Sequence, residues 1–225
     1  MKKTISTLIV LIITLSISVC FVACDKSEKT SEFGILDADD PIVEFHFSTG
    51  DIIKAELYKK TAPISVANFL KYVEDGFYEG IVFHRIIKDF MIQTGGYEFD
   101  GGYYIEKEAT YPAIYGEFSA NGCTYNNVEH LRGVLSMARL GDPYMDSATS
   151  EFFFCAVDNY PTLNGNYAPF GRVIDDESMA VIEKFNNIQT TTGRMVFAGD
   201  PTHFRFTSDT PTQIVSITEI KIIKQ

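Results

Sequence analysis

Basic residues are scarce in this sequence. Nineteen Lys and Arg stand against thirty Asp and Glu over 225 residues, a formal charge of −11. That excludes the basic surface that nucleic-acid binding needs. Cysteine is scarcer still. Of the four, Cys20 and Cys24 fall near the N-terminus, which leaves Cys123 and Cys155 for the body of the chain. One lone pair is no disulfide framework. Without a C-x-x-C motif or a His/Cys cluster, no zinc or other metal site is expected. Cys155 lies in the apolar run "FFFCAV" (152–157), where a buried thiol is the ordinary outcome. No G-x-S-x-G element and no recognisable Cys/His arrangement supports a hydrolase, and no internal repeat is visible.

What is present first is an export segment. Met1, Lys2 and Lys3 form a short positive region, and residues 4–23 form an apolar run, the pattern of a secretory signal. The run ends in Phe21-Val22-Ala23-Cys24, which resembles a bacterial lipobox with Phe21 in place of the usual leucine. Cys24 is therefore the expected lipidation site, and 1–23 the expected signal peptide. An uncleaved helix is the alternative, because the run approaches the roughly 20 residues that span a membrane. Either form holds the domain outside the cytoplasm, anchored to the cell membrane. Residues 25–40 carry six acids and two lysines, so 24–40 reads as the lipidated cysteine and a flexible tether. Residues 41–225 read as one domain of ordinary globular composition, in a chain 45% hydrophobic and 22% charged.

Within that domain the pattern is mostly of period two. Residues 42–58 alternate as two strands about a turn at 48–51. Residues 61–78 change to helical spacing. Pro63 suits the first turn, Ile64, Ala67, Leu70, Phe69 and Val73 supply an apolar side, and Gly76 stops it. Strands resume at 80–87 and 90–96, then at 133–140, 150–157, 168–174 and 213–223. Met179, Ile182 and Phe185 mark a second short helix. Residues 97–130, rich in Gly, Tyr, Asn and Glu, read as an excursion with little regular structure. Many strands, two helices and no βαβ alternation predict a mainly β fold, an antiparallel sheet or closed barrel.

Residues 82–96, "VFHRIIKDFMIQTGG", concentrate the chemistry. Alternation puts Phe83, Arg85 and Ile87 on one face and His84 on the other. A connection centred near Asp89 sets Arg85 opposite Gln93, with Met91 on the same face. A guanidinium, an amide and a thioether then share one patch. By itself this is also the pattern of a solvated Arg–Gln pair, and Phe90, Met91, Phe153 and Leu163 by themselves read as core.

The wider stretch 62–96 resembles the cyclophilin peptidyl-prolyl isomerases. The resemblance is carried by Asn68-Phe69-Leu70, Gly76-Phe77-Tyr78, Phe83-His84-Arg85, Phe90-Met91, Gln93 and Gly95-Gly96. It continues in family order through "RGVLSMAR" (132–139), "DSATSEFFF" (146–154) and "LNGNYAPFGRV" (163–173), so it covers about 41–225. It implies a closed eight-stranded antiparallel barrel with two capping helices, acting on X–Pro bonds without a cofactor. It implies a catalytic Arg85, with Gln93 orienting it or holding the substrate backbone. It further implies a proline socket of Phe90, Met91, Phe153 and Leu163 with Tyr167 at the rim, and backbone contacts from Ala138 and Arg139. His84 is expected to be structural. The expected partners are proline-containing polypeptides, exported or unfolded, and the membrane through the lipid anchor; the chain is expected to be a monomer.

The chain departs from the family pattern at four places. Glu151 replaces a usual glutamine, and a carboxylate there has two readings: it draws Arg85 into an ion pair, or it simply faces solvent. Thr162 stands where animal members carry tryptophan, which bears on cyclosporin binding. Tyr167 replaces a common histidine, and Thr94 separates Gln93 from the glycine pair. Glu151 and Thr162 motivate a second expectation, a catalytically weak proline-peptide-binding or chaperone module on the membrane surface.

Overall fold

Alternation builds the first hairpin, in which β1 (Ile42–Phe47) and β2 (Ile52–Leu57) pair antiparallel, as expected from 42–58. This is a computed structural model, and it describes residues 33–158 and 160–225. The expected signal peptide, the expected lipidation site Cys24 and the first part of the expected tether lie outside the described residues. The further elements are α1 (Pro63–Glu74), β3 (Arg85–Ile87), β4 (Met91–Thr94), β5 (Tyr97–Asp100), β6 (Tyr103–Glu106), β7 (Val134–Met137), β8 (Phe152–Cys155), α2 (Tyr160–Leu163), β9 (Ala168–Val173), α3 (Asp176–Asn186), β10 (Thr190–Phe197), β11 (Asp200–Pro211) and β12 (Ile217–Lys224).

Eight strands form one antiparallel sheet in the order β12-β1-β2-β9-β7-β8-β4-β3. The fold is mainly β, as the alternation predicts. The order has two ends, however, so the expectation of a closed barrel is corrected to a curled sheet. Segment 80–83 spans part of the gap: Phe83 N–H donates to Val215 O at 3.1 Å and Ile217 N–H to Ile81 O at 2.8 Å. No strand ladder joins β3 to β12. The sheet curls around an aromatic core of Phe45, Phe69, Phe152, Phe154 and Phe170, all fully buried. Phe69 lies 5.4 Å edge-on to Phe152, and Phe45 lies 5.4 Å edge-on to Phe154. Such tilted pairs add to the stabilisation from buried area.

Helix α3 buries Met179, Ile182 and Phe185, the expected face, and Asp175 caps it by accepting from Ser178 N at 2.7 Å. Helix α1 is turned from its expected face: Val66, Phe69 and Tyr72 are buried while Ile64 is exposed. Buried Glu117 anchors its N-terminus by accepting from Ile64 N at 3.1 Å and Ser65 N at 2.7 Å. That draws the polar Ser65 inward and leaves Ile64 outside.

A second sheet of four strands, in the order β11-β10-β6-β5, was not expected. Residues 97–106 form the β5–β6 hairpin, where an irregular excursion is read from composition. β6 then pairs parallel with β10. The tether is likewise shorter on its described side. Phe33 is buried beneath the guanidiniums of Arg132 and Arg172, 5.3 and 5.5 Å from its ring. Leu36 and Asp37 donate their N–H groups to the Glu56 carboxylate at 2.9 and 2.7 Å. Residues 33–40 belong to the domain because they satisfy a buried carboxylate.

Phe152 is the central test of this packing. Phe152→Ala should lower the free energy of unfolding by about 3–5 kcal/mol, the cost of an unfilled aromatic site, measured by urea titration of the domain.

Candidate active site

The β3–β4 hairpin has the register expected from alternation: Arg85 faces Gln93, Ile86 faces Ile92 and Ile87 faces Met91. Asp89 sits at the turn with φ +56°, a left-handed conformation that Asp tolerates better than most residues. β4 then pairs with β8, Met91 against Cys155 and Gln93 against Phe153. Side chains alternate, so Ile92 and Phe154 enter the core while Met91, Gln93 and Phe153 stand on the outer face.

On that face Met91, Val134, Phe153, Cys155 and Leu163 pack as one apolar cluster, edged by Ile87, Phe90, Ala138 and Tyr167. Thus Phe90, Met91, Ala138, Phe153, Leu163 and Tyr167, all singled out from the sequence, lie together. Tyr167 meets Phe153 edge-on at 5.8 Å. Ala138 donates its N–H to Glu151 O at 2.9 Å. The Arg139 side chain is held between Tyr167 and Phe118, 5.0 and 5.1 Å from their rings, and donates to Asn166 O at 2.9 Å. It walls the cluster. Thr162 is exposed beside Leu163, and both cysteines are buried thiols.

Sequence reasoning missed His130. It is fully buried, with its ring parallel to Phe153 at 6.3 Å. Asn164 Oδ1 lies 3.0 Å from its Nδ1 and Ser136 Oγ 2.9 Å from its Nε2. An amide oxygen only accepts, so Nδ1 carries the proton and Nε2 accepts from the serine. Burial lowers its pKa, against the opposing Asn164 bond, which keeps the ring neutral and Phe153 supported.

The polar groups form a chain. Gln93 Nε2 donates to Glu151 Oε2 at 2.7 Å, and Arg85 Nη1 donates to Gln93 Oε1 at 3.4 Å. An ionised carboxylate cannot donate, so Glu151 fixes which end of the amide faces it and turns the carbonyl toward Arg85. The Glu151–Arg85 ion pair, one of the two readings of this carboxylate, does not form. Glu151 meets buried His84, Nε2 to Oε2 3.4 Å, and Arg85 Nε lies 3.6 Å from Asp209 Oδ2 instead. Asp209, on β11, had no local sequence signal. Burial pushes the Glu151 carboxyl up, but the His84 charge, hydrogen bonds from His84 and Gln93, and Arg205 outweigh it and hold it below its usual value.

The glycine pair makes room for this carboxylate. A Cβ on Gly96 would come within 2.6 Å of Glu151 Oε1, and one on Gly95, at φ +100°, within 2.5 Å of Ser150 O. Thr94, between Gln93 and the glycine pair, is buried, and its hydroxyl donates to Val82 O at 3.0 Å. Beyond Arg85 opens a cleft of about 290 Å³, bounded by His84, Arg85 and Gln93 on one side and by β10 and β11 on the other.

An apolar socket on the outer face of a curled antiparallel sheet, with a guanidinium held at its edge by an amide, defines a protein built to hold a compact apolar group beside a fixed cation. Residues 42–222 match the family model for cyclophilin type peptidyl-prolyl cis-trans isomerases, and the chain belongs to that family. It is 41% identical over 155 residues to a peptidyl-prolyl cis-trans isomerase of Acinetobacter baylyi, covering 67% of this chain and 74% of that one. It is 38% identical over 156 residues to peptidyl-prolyl cis-trans isomerase B of Escherichia coli, covering 66% and 86%. A crystal structure of a cyclophilin type peptidyl-prolyl cis-trans isomerase from Cryptosporidium parvum superposes with a TM-score of 0.59 at 26% identity, covering 83% of this chain and 99% of that one. The same Cryptosporidium protein has a structure in the presence of the dipeptide Ala-Pro, which superposes with a TM-score of 0.58.

Because the native Glu151 carboxyl titrates below its usual 4.5, the fold favours its ionised form. Its stabilising contribution is complete above about 4.5 and is lost as pH falls through the lowered native value. Glu151→Gln should therefore lose less thermal stability than the unmodified protein between pH 7 and about pH 3, read as the difference in Tm across that range.

Proposed function

We propose that this isomerase is tethered outside the cytoplasm by a lipid on Cys24 and turns X–Pro bonds in exported or unfolded chains, with Arg85 as the catalytic donor. The observation that carries the reading is the hairpin pairing of Arg85 with Gln93, which sets a guanidinium beside the Met91–Phe153–Leu163 cluster. Rotation about a prolyl peptide bond must break C–N resonance, a barrier near 20 kcal/mol. In the twisted state the prolyl nitrogen becomes pyramidal and gains a lone pair. A donor aimed at that nitrogen binds the twisted state better than either planar isomer, which is the condition for acceleration. Arginine suits this because it stays protonated and carries its donors in a rigid fork.

Phe90, Met91, Phe153 and Leu163 take the proline ring, Tyr167 closes the rim, and Ala138 and Arg139 hold the substrate backbone. Gln93, oriented by Glu151, keeps Arg85 from swinging into solvent. The structure of a relative in the presence of the dipeptide Ala-Pro supports a proline-containing peptide as the substrate. No nucleophile is required, since no covalent bond is broken. The alternative of a weak binding module was motivated by Glu151 and Thr162; the bond of Glu151 to Gln93 rather than Arg85 supports the catalytic reading over it.

Removal of one preorganised charge-stabilising donor typically costs ~10²–10³ in rate. Arg85→Ala in a soluble form spanning 25–225 should lower kcat/KM for a proline tetrapeptide by about that factor while peptide binding persists; equal rates would overturn the role of Arg85. The anchor is tested separately in bacterial membranes. Mass spectrometry of the membrane-extracted protein should find a chain that begins at an acylated Cys24, whereas a chain retaining residues 1–23 would point to an uncleaved helix.

A further inference from the structure

The cleft beyond Arg85 is built by the second sheet, and its charge is unusual for this chain. Strand β11 runs alongside β3. The register of β10 on β11 slips between Gly193–Thr207 and Thr191–Thr210, which leaves an extra residue on β11. Asp209 lies in that bulge, where a side chain is re-aimed, and it reaches Arg85. Arg205 and Thr207 lie two residues apart on the same strand, and both line the cleft together with Arg85, Gln93 and Phe206. Phe206 is 66% exposed.

Two guanidiniums thus face one cleft with no carboxylate among its lining residues, in a protein of charge −11. The nearby acids are engaged: Asp209 with Arg85, and Glu151 with Gln93 and His84. Arg205 itself makes one long hydrogen bond, to Tyr97 Oη at 3.4 Å, and lies 5.8 Å from the Phe197 ring. No described carboxylate pairs with it within 4 Å. Five guanidinium donors with a single long bond leave the fork open to a bidentate acceptor. The His84 Nδ1 on the same wall is buried with no hydrogen-bond partner among the described residues.

We propose that the cleft between β3 and β11 is a substrate subsite that takes an acidic side chain near the isomerised proline, with Arg205 as its specificity-determining residue. The proposal rests on the isomerase reading above, because Arg85 and Gln93 are shared by the socket edge and the cleft. A chain with proline on the Met91–Phe153 surface carries its near neighbours past the same two side chains. Arg205 holds the carboxylate of the entering residue. An acidic substrate residue then finds an open cation, and a basic one meets a like charge at Arg205.

The test compares proline peptides with Glu, Ala or Lys one or two positions to either side of the proline. Both the isomerisation rate and the binding affinity, by fluorescence anisotropy, are read for each peptide. At one of these positions the Glu peptide should exceed the Ala peptide roughly fivefold and the Lys peptide by more, an advantage that shrinks with added salt as a partly exposed ion pair must. Arg205→Gln should erase the Glu-to-Ala ratio and Arg205→Lys restore most of it. Equal affinities for Glu and Ala peptides at every position, or an unchanged ratio in Arg205→Gln, would overturn the subsite. Selective binding without isomerisation of any peptide would instead overturn the isomerase reading and leave the acidic subsite standing.

Discussion

Everything in the site hangs on the antiparallel pairing of β4 with β8. Four residues on each strand interlock, and strict alternation sends Ile92, Phe152 and Phe154 inward while Met91, Gln93 and Phe153 face out. The consecutive phenylalanines are therefore not one hydrophobic block. Phe152 and Phe154 hold the core, and Phe153 between them shapes the socket. A slip of one residue would exchange the two sets, burying Gln93 and exposing Phe154. The tight aromatic packing around Phe152 makes that slip costly, so the same interactions that stabilise the domain also set the geometry of the outer face.

On that outer face a second constraint acts, because a guanidinium on a three-residue edge strand has much freedom to lose. The chain from Glu151 through Gln93 to Arg85 removes part of it. Glu151 stands just before β8, and the Gly95–Gly96 pair leaves it space, so the strand that supplies Phe153 to the socket also supplies the carboxylate that orients the amide. A glutamine at 151 would offer both donor and acceptor ends and would not fix Gln93 in the same way. The ionised state of Glu151 is thus a structural feature of the site, sustained by His84 behind it.

The legible parts of the molecule are those determined locally. The Arg85–Gln93 register follows from alternation and a turn at Asp89, within nine residues of chain. The socket residues were picked out by motif and lie in one cluster. The illegible parts are those determined across long separations. β6 pairs parallel with β10 some ninety residues later, and nothing in either local hairpin announces that the two will join. Residues 33–40 have the composition of a tether, yet pack because Glu56 accepts their N–H groups. The rotated face of α1 reflects Glu117, more than forty residues beyond the helix. His130 and Asp209 share this character: each matters through its neighbours in space, and neither lies in a motif.

The second sheet also answers a problem that the curled sheet creates. An open order leaves β3 as an edge, and an edge strand exposes backbone groups that invite adventitious pairing. β3 is kept to three residues, and β11, itself an edge of the other sheet, is brought alongside without a ladder between them. The link is instead made by side chains, Arg85 with Asp209. That choice has a consequence for chemistry. Backbone pairing would have zipped the two sheets together and filled the space next to Arg85. An ion pair holds the edges in proximity while leaving a cleft between them, and a residue that lines this cleft is the arginine proposed as the catalytic donor.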